Sequence, residues 1–248
     1  MSVTDLRDET AGPTFPPLFS GLAVTGAADP LEHARAQAVL GCDAGLVVHR
    51  ITSERLQAAI VFAPENPLRD AIVALIACGV GFQNALGALA PPEVAVQLTW
   101  DGRIHVNGAT CGRFRVAAPD GDPEAEPDWL IIGIDLPLSP PDGVDPGIDP
   151  TATTLFEEGC ADVSPVTLLE AWVRHTLYWI TRMIDEGNRP LHSEWRGLAL
   201  EIGEDVRMAV GGTTQAGTFL GVDESFGMLL RTSAGTQVIP LTALLEDQ

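Results

Sequence analysis

Short alternating stretches and two long apolar ones divide the chain. Where every second position is apolar a strand is predicted, because side chains of an extended backbone point to opposite faces in turn. Such stretches fall over residues 46–50 and 56–64, around a polar turn at 52–55, and over 94–100, 103–106 and 109–116. Asn107-Gly108 separates the last two. It is the strongest two-residue hairpin signal in the chain, since a type I′ turn needs positive φ at both central residues. Residues 129–136, WLIIGIDL, are apolar almost without interruption and predict a strand buried on both faces. The long apolar stretches predict helices. Asn66-Pro67 opens one that runs to Ala90, where Pro91 and Pro92 stop it. Ser164-Pro165 opens the other, with apolar residues at Leu168, Leu169, Trp172, Val173, Leu177, Ile180, Met183 and Ile184. Asp29-Pro30 starts a shorter helix that closes at Gly41, and another around 192–198 follows Gly187. Residues 1–20 form a polar, proline-rich lead-in, and 139–150 a Pro/Gly/Asp loop.

After Gly203 the pattern changes. Four short strands, over 205–210, 217–223, 227–232 and 237–241, are separated by glycine-containing turns. That spacing predicts a small all-β barrel, too small to be stable without its neighbour. The expected class is therefore α/β: a mixed sheet flanked by helices over residues 1–200, and a small barrel over 201–248.

Composition narrows the function. With 46% hydrophobic and 19% charged residues among 248, the chain has enough apolar material for a real core. A net charge of −20 excludes duplex nucleic acid as the expected partner, because that binding rests on cations displacing counterions from phosphates. The longest apolar run, 71–82, is too short to span a bilayer, and residues 1–14 lack the charged-then-apolar pattern of a signal peptide. A cytoplasmic protein with no membrane partner is expected. Cys42, Cys78, Cys111 and Cys160 are widely spread and read as reduced thiols, mostly in the core, and the histidines show no metal-ligand spacing, so no metal is expected. All fourteen basic residues are arginine. Every mechanism that needs a lysine side chain is thereby excluded.

The segment Trp100 to Arg115, WDGRIHVNGATCGRFR, is similar to a signature of biotin protein ligases, in which W-P-N-D, three residues and N-G precede a lysine-containing segment. Ile132-Gly133-Ile134-Asp135 resembles the family's following strand, with Asp135 in place of an asparagine. Residues 154–159, TLFEEG, resemble its T-S-L segment, and the C-terminal barrel resembles the SH3-like domain that often follows. The resemblance to biotin and lipoate protein ligases runs from about Asp29 to the C-terminus, by order of elements more than identity. It implies ATP and biotin or lipoate as cofactor and substrate, and an acyl-carrier, biotinyl or lipoyl domain as partner.

Two departures bear on activity. The family's lysine, which contacts the carboxylate and α-phosphate of the acyl-adenylate, falls on Thr110, or on Ala109 with a slip of one. Its G-R-G-R-R-G loop falls where this chain reads HRITSERLQAA, keeping Arg50 and Arg55 but not the glycines that let a backbone approach phosphate. Removing one fixed donor from such a site costs on the order of 10²–10³ in rate. Arg103, Arg113 and Arg115 cluster on the same hairpin and are the candidates for a surviving anion site. The expectation is a ligase-like protein that binds a small carboxylate, acyl-adenylate or nucleotide with little or no ligase turnover, through Arg50, Trp100, Arg103, Thr110, Cys111, Gly112, Arg113 and Asp135. One alternative is an octanoyl or lipoyl transferase using Cys111 or Cys160, since transferases of this superfamily use a cysteine nucleophile supported by a lysine. Arg113 would serve the Cys111 thiolate, whereas Glu157 and Glu158 oppose that of Cys160. Another is a non-catalytic protein-interaction module.

Overall fold

The computed structural model of the chain describes residues 12–141, 143 and 151–246; residues 1–11 of the lead-in, and 142 and 144–150 of the Pro/Gly/Asp loop, lie outside the described residues. Seven strands form a mixed sheet: β1 (Ser20–Ala23), β2 (Leu46–Ile51), β3 (Arg55–Phe62), β4 (Val96–Leu98), β5 (Arg103–Val106), β6 (Ala109–Ala117) and β7 (Leu130–Pro137). Their order is β1-β2-β3-β7-β6-β5-β4, with β1 parallel to β2 and every other pair antiparallel. Asn107 and Gly108 have φ of 50° and 95°, as the predicted type I′ hairpin requires.

The helices sit on both faces. On one side α3 (Ala74–Leu89) and α4 (Pro165–Glu186) pack together over β4, β6 and β7, closing the main core around Val47, Ile60, Ile104, Phe114, Ile132 and Ile134. Trp172 of α4 donates from its indole to Cys78 O of α3 at 3.0 Å. On the other side α1 (Pro30–Val39) lays Leu31 and Ala34 on Val48, Ala59, Val61 and Ile131. The caps of α1 and α4 are as expected: Asp29 accepts from Leu31 N, and Ser164 from Thr167 N.

Three elements differ from the pattern. β1 was not expected; it is four residues long and owes its existence to pairing with β2. The long apolar helix is broken: α2 (Leu68–Ala71) ends before α3 begins, and Asn66 does not cap it. Instead the N–H groups of Leu68 and Arg69 donate to the carbonyls of Ala125 and Pro123 in the acidic loop. The stretch Leu68–Leu89, apolar enough by composition to cross a membrane, is mostly buried inside the protein. On α4 the buried face turns through Trp172, Thr176 and Trp179, leaving Ile184 exposed.

Beyond α5 (Arg189–Leu198), β8 (Asp205–Val210), β9 (Thr213–Val222), β10 (Met228–Thr232) and β11 (Gly235–Ile239) form a four-stranded antiparallel sheet, followed by a 3-10 turn at Leu241–Leu244. β9 begins four residues earlier than its pattern suggests. The inner face of this sheet, with Met208, Phe219, Met228 and Leu230, joins the main core. Trp100 anchors the contact. It is 1% exposed, and its indole donates at 2.8 Å to the carbonyl of Phe226, whose ring meets Trp195 edge-on.

Candidate functional site

Strand parity decides which side chains share the open face. Arg50, Gln57, Asp135, Arg113 and Arg115 alternate with core residues and point away from α3 and α4. α1 covers one end of that face only. At the uncovered end Gln57, Asp135, Arg113 and Arg103 stand directly opposite one another on β3, β7, β6 and β5, a single row across four strands. Arg55, Arg103, Thr110, Gly112, Arg113, Asp135 and Pro137 line an open cleft of about 240 Å³ along this row.

A bulge builds the cleft. The β5–β6 register shifts between Arg103 and His105, and the extra residue on β6 is taken up at Gly112, which has φ of 120°. A Cβ on Gly112 would lie 2.4 Å from the carbonyl oxygen of Asp135, so only glycine fits. The bulge also reverses parity. Cys111 turns into the core while Arg113 turns to the cleft, although simple alternation would put both on one face.

The cleft is electrostatically uneven. Arg103 is held by Asp101, whose Oδ2 accepts from Nε at 3.0 Å and from Nη2 at 2.6 Å. Asp135 Oδ2 accepts from Arg55 Nη1 and Gln57 Nε2, both at 3.3 Å, while Oδ1 is buried with no hydrogen-bond partner among the described residues. Arg113 is exposed and has neither hydrogen bond nor ion pair among the described residues. It is a guanidinium with its donors unspent. Thr110 is fixed by its backbone, donating to Thr151 O at 3.0 Å and accepting from Thr153 N at 2.9 Å. The segment resembling the family's T-S-L run thus lies beside the cleft, tied to the hairpin by Glu158, which accepts from Asn107 Nδ2 and Thr153 Oγ1.

Of the residues expected to bind ligand, Arg103, Thr110, Gly112, Arg113 and Asp135 come together here. Trp100 does not; it is the interior anchor described above. Arg50 also lies off the cleft, donating to Gly26 O and to Gln57 Oε1, so it reaches Asp135 only through Gln57. Gln57 and Pro137 were missed. Gln57 carries no motif, and its importance comes from the β3–β7 register, which no local pattern reveals.

The cysteine candidates are placed unfavourably for nucleophilic work. Cys111 is fully buried, and burial together with the charges of Glu158, Cys160 and Glu157 pushes its thiol up to about 12. Burial and Glu158 also push up the Cys160 thiol. Neither lines the cleft, and Arg113 faces away from Cys111 across the bulge. Iodoacetamide near neutral pH should therefore leave Cys78, Cys111 and Cys160 of the folded protein unmodified, with labelling confined to the partly exposed Cys42. Peptide mapping by mass spectrometry checks this, and rapid labelling of Cys111 would reverse the assignment.

Comparison with known proteins agrees with this architecture. The chain is 26% identical over 182 residues to a biotin–[acetyl-CoA-carboxylase] ligase of Paracoccus denitrificans, covering 73% of this chain and 75% of that one. It is 53% identical to a biotin protein ligase-like protein of unknown function from Silicibacter sp., with a TM-score of 0.87 over 95% of this chain and all of the other. A biotin protein ligase of Aquifex aeolicus in complex with biotin and ATP shares the fold at 17% identity, with a TM-score of 0.67 over 89% and 95% of the two chains. Residues 202–247 match a domain of unknown function, DUF4444. Residues 15–197 match the model of the biotin/lipoate A/B protein ligase family, and the chain belongs to that family.

Proposed function

We propose that the protein binds a small anionic ligand, a carboxylate or the phosphate of a nucleotide, in the arginine cleft, without the turnover of a standard ligase. The observation that carries this reading is Arg113. A guanidinium without a partner among the described residues, beside Arg55 and Arg103 in a chain of net charge −20, is poised for an anion. Relatives that bind biotin and ATP on the same fold support the ligand class. The absence of turnover rests on Thr110, a cleft residue that the resemblance aligns with the family's lysine (Ala109 with a slip of one), and on the turn over residues 52–54. That turn closes through Thr52 N to Arg55 O at 2.9 Å and has no glycine to cradle phosphate. The placement of Cys111 and Cys160 offers no support to the cysteine transferase. The compartment is proposed to be the cytoplasm, where such ligands and carrier domains are found.

The test has two arms. Incubated with ATP, biotin or lipoate and an acceptor domain, the protein should give no modified acceptor at a rate near that of a true ligase, and comparable turnover would refute the reading. In calorimetry, Arg113→Ala should weaken binding of a carboxylate or nucleotide by about 1.5–3 kcal/mol, the range of a charge-assisted hydrogen bond. Arg113 is exposed and unbonded, so the melting temperature should hold. Arg103→Ala should cost less, because Asp101 already occupies that guanidinium. Binding indifferent to Arg113 would place the ligand elsewhere.

A further inference from the structure

Arg115 lies two residues along β6 from Arg113 but meets different surroundings. Its Nη1 donates at 2.6 Å to Oδ2 of Asp29, the cap of α1. Its Nε and Nη2 fork onto the two carboxylate oxygens of Glu246, at 2.6 and 2.7 Å. Below the guanidinium is a chamber of about 10 Å³, scarcely room for one water, lined by Asp29, Leu31, Gln57, Arg115, Gly133 and Asp135. Asp135 lines both this chamber and the arginine cleft.

The two carboxylates on Arg115 are held differently. Asp29 is fixed by the helix it caps, its Oδ1 accepting from Leu31 N at 3.0 Å. Glu246 follows the 3-10 turn that comes after the C-terminal sheet. It is kept in place by the fork, by its own N–H to Val116 O at 2.9 Å, and by the bridge of Leu245 to Val116. One carboxylate would neutralise the guanidinium. The second brings a surplus negative charge into an already acidic protein, an odd choice for a purely structural tie. Its fork is the geometry in which arginine takes a free carboxylate. The neighbouring Asp29 disfavours a dianionic phosphate at this position.

We infer that Glu246 is an internal ligand of Arg115, seated where the carboxylate of a small monocarboxylic acid binds, and that residues 245–246 swing out when such a ligand enters. This rests on the anion-binding reading of the same sheet face. The ligand's carboxylate then takes the place of Glu246 on Arg115, and the rest of the ligand runs along the open sheet face toward Asp135 and Arg113. The C-terminal segment thereby sets how readily the site fills.

The experiment uses the full chain with octanoate and biotin as probes. Glu246→Gln removes the competing charge and should tighten probe binding by about tenfold or more in calorimetry. Arg115→Gln in the Glu246→Gln background should abolish that gain. In the wild-type protein, saturating octanoate should accelerate hydrogen exchange at the Glu246 amide, since its bond to Val116 O opens. That readout remains available if either variant folds poorly, and a purely structural tie would leave it unmoved. Unchanged exchange with bound octanoate, or a Glu246→Gln protein that binds no better than wild type, overturns the latch. Arg113→Ala separates the two readings. Binding lost in Arg113→Ala but insensitive to Glu246 leaves the cleft reading standing without the latch. Binding governed by Glu246 and Arg115 but indifferent to Arg113 keeps the latch and removes the cleft. No binding of either probe by any of these proteins refutes both.

Discussion

Replacing Trp100 with alanine should destabilise the protein by about 3–5 kcal/mol, the range for emptying a buried aromatic site. The indole is 1% exposed, and Phe226, to which it bonds, and Trp195, which meets the Phe226 ring, are buried as well. Two losses add. The cavity removes the surface on which Phe226 rests, and the Phe226 carbonyl keeps no donor in place of the indole N–H. Phe226 sits in the left-handed region with φ of 62°, a conformation that packing has to hold. Loss of its seat should therefore loosen the turn between β9 and β10. Urea denaturation followed by tryptophan fluorescence and by circular dichroism checks this. The variant should unfold at much lower denaturant, with the C-terminal sheet ahead of the rest. A change below about 1 kcal/mol would mean the two sheets are held together by something other than this contact. Trp100→Phe should fall between, restoring part of the packing but not the hydrogen bond.

Gly112→Ala should be the most damaging single methyl in the cleft. The new Cβ would meet the Asp135 carbonyl oxygen at 2.4 Å and the Leu136 Cα at 3.2 Å, both backbone atoms of a central strand. Neither can yield without moving β7. A loss of about 2 kcal/mol or more is expected from the clash and the left-handed backbone together. Gly108→Ala is the control. Its φ of 95° is also positive, but nothing lies within 4 Å of its Cβ, so only the conformational cost of about 1 kcal/mol remains. The cleft adds a second readout. If β6 straightens, Arg113 and Cys111 lose their opposed orientations, and anion binding should disappear in Gly112→Ala while surviving in Gly108→Ala. Equal melting temperatures for the two variants would show that the bulge is not rigid.

The reach of each interaction decides how much of it the local pattern of residues reveals. Asp29, Ser164 and Asn107-Gly108 were legible because a cap or a type I′ turn is decided within four residues. Thr110 and Asp135 were found through the resemblance of two strands, and Arg103 and Arg113 through their clustering on one hairpin; β-pairing then set them side by side. What escaped depends on partners far along the chain. β1 has no alternation of its own, and α2 begins where loop carbonyls at 123 and 125, not a capping side chain, satisfy its first turn. The parity reversal at Gly112 hid the opposed directions of Cys111 and Arg113, since a glycine in a strand does not announce which neighbour will turn inward. The tie between Arg115 and Glu246 joins β6 to a segment beyond the last strand, and no reading of either segment alone contains it. Trp100 was legible as a strand tryptophan but not as the contact between the two sheets.

The position of β7 has a consequence for how the chain reaches this state. β7 fills the gap between β3 and β6, and its pairing with β3, as of Ile60 with Ile132, spans all of α2, α3, β4, β5 and β6. The β2–β3 and β5–β6 hairpins close locally and quickly, but neither can join the other until the last strand of the sheet has been synthesised and inserted. Until then both hairpins present open edges, and Leu130–Pro137 is an unpaired, almost wholly apolar strand of the kind that associates with other chains. Yield on refolding should fall steeply with protein concentration for that reason, even though the finished sheet has this strand at its centre.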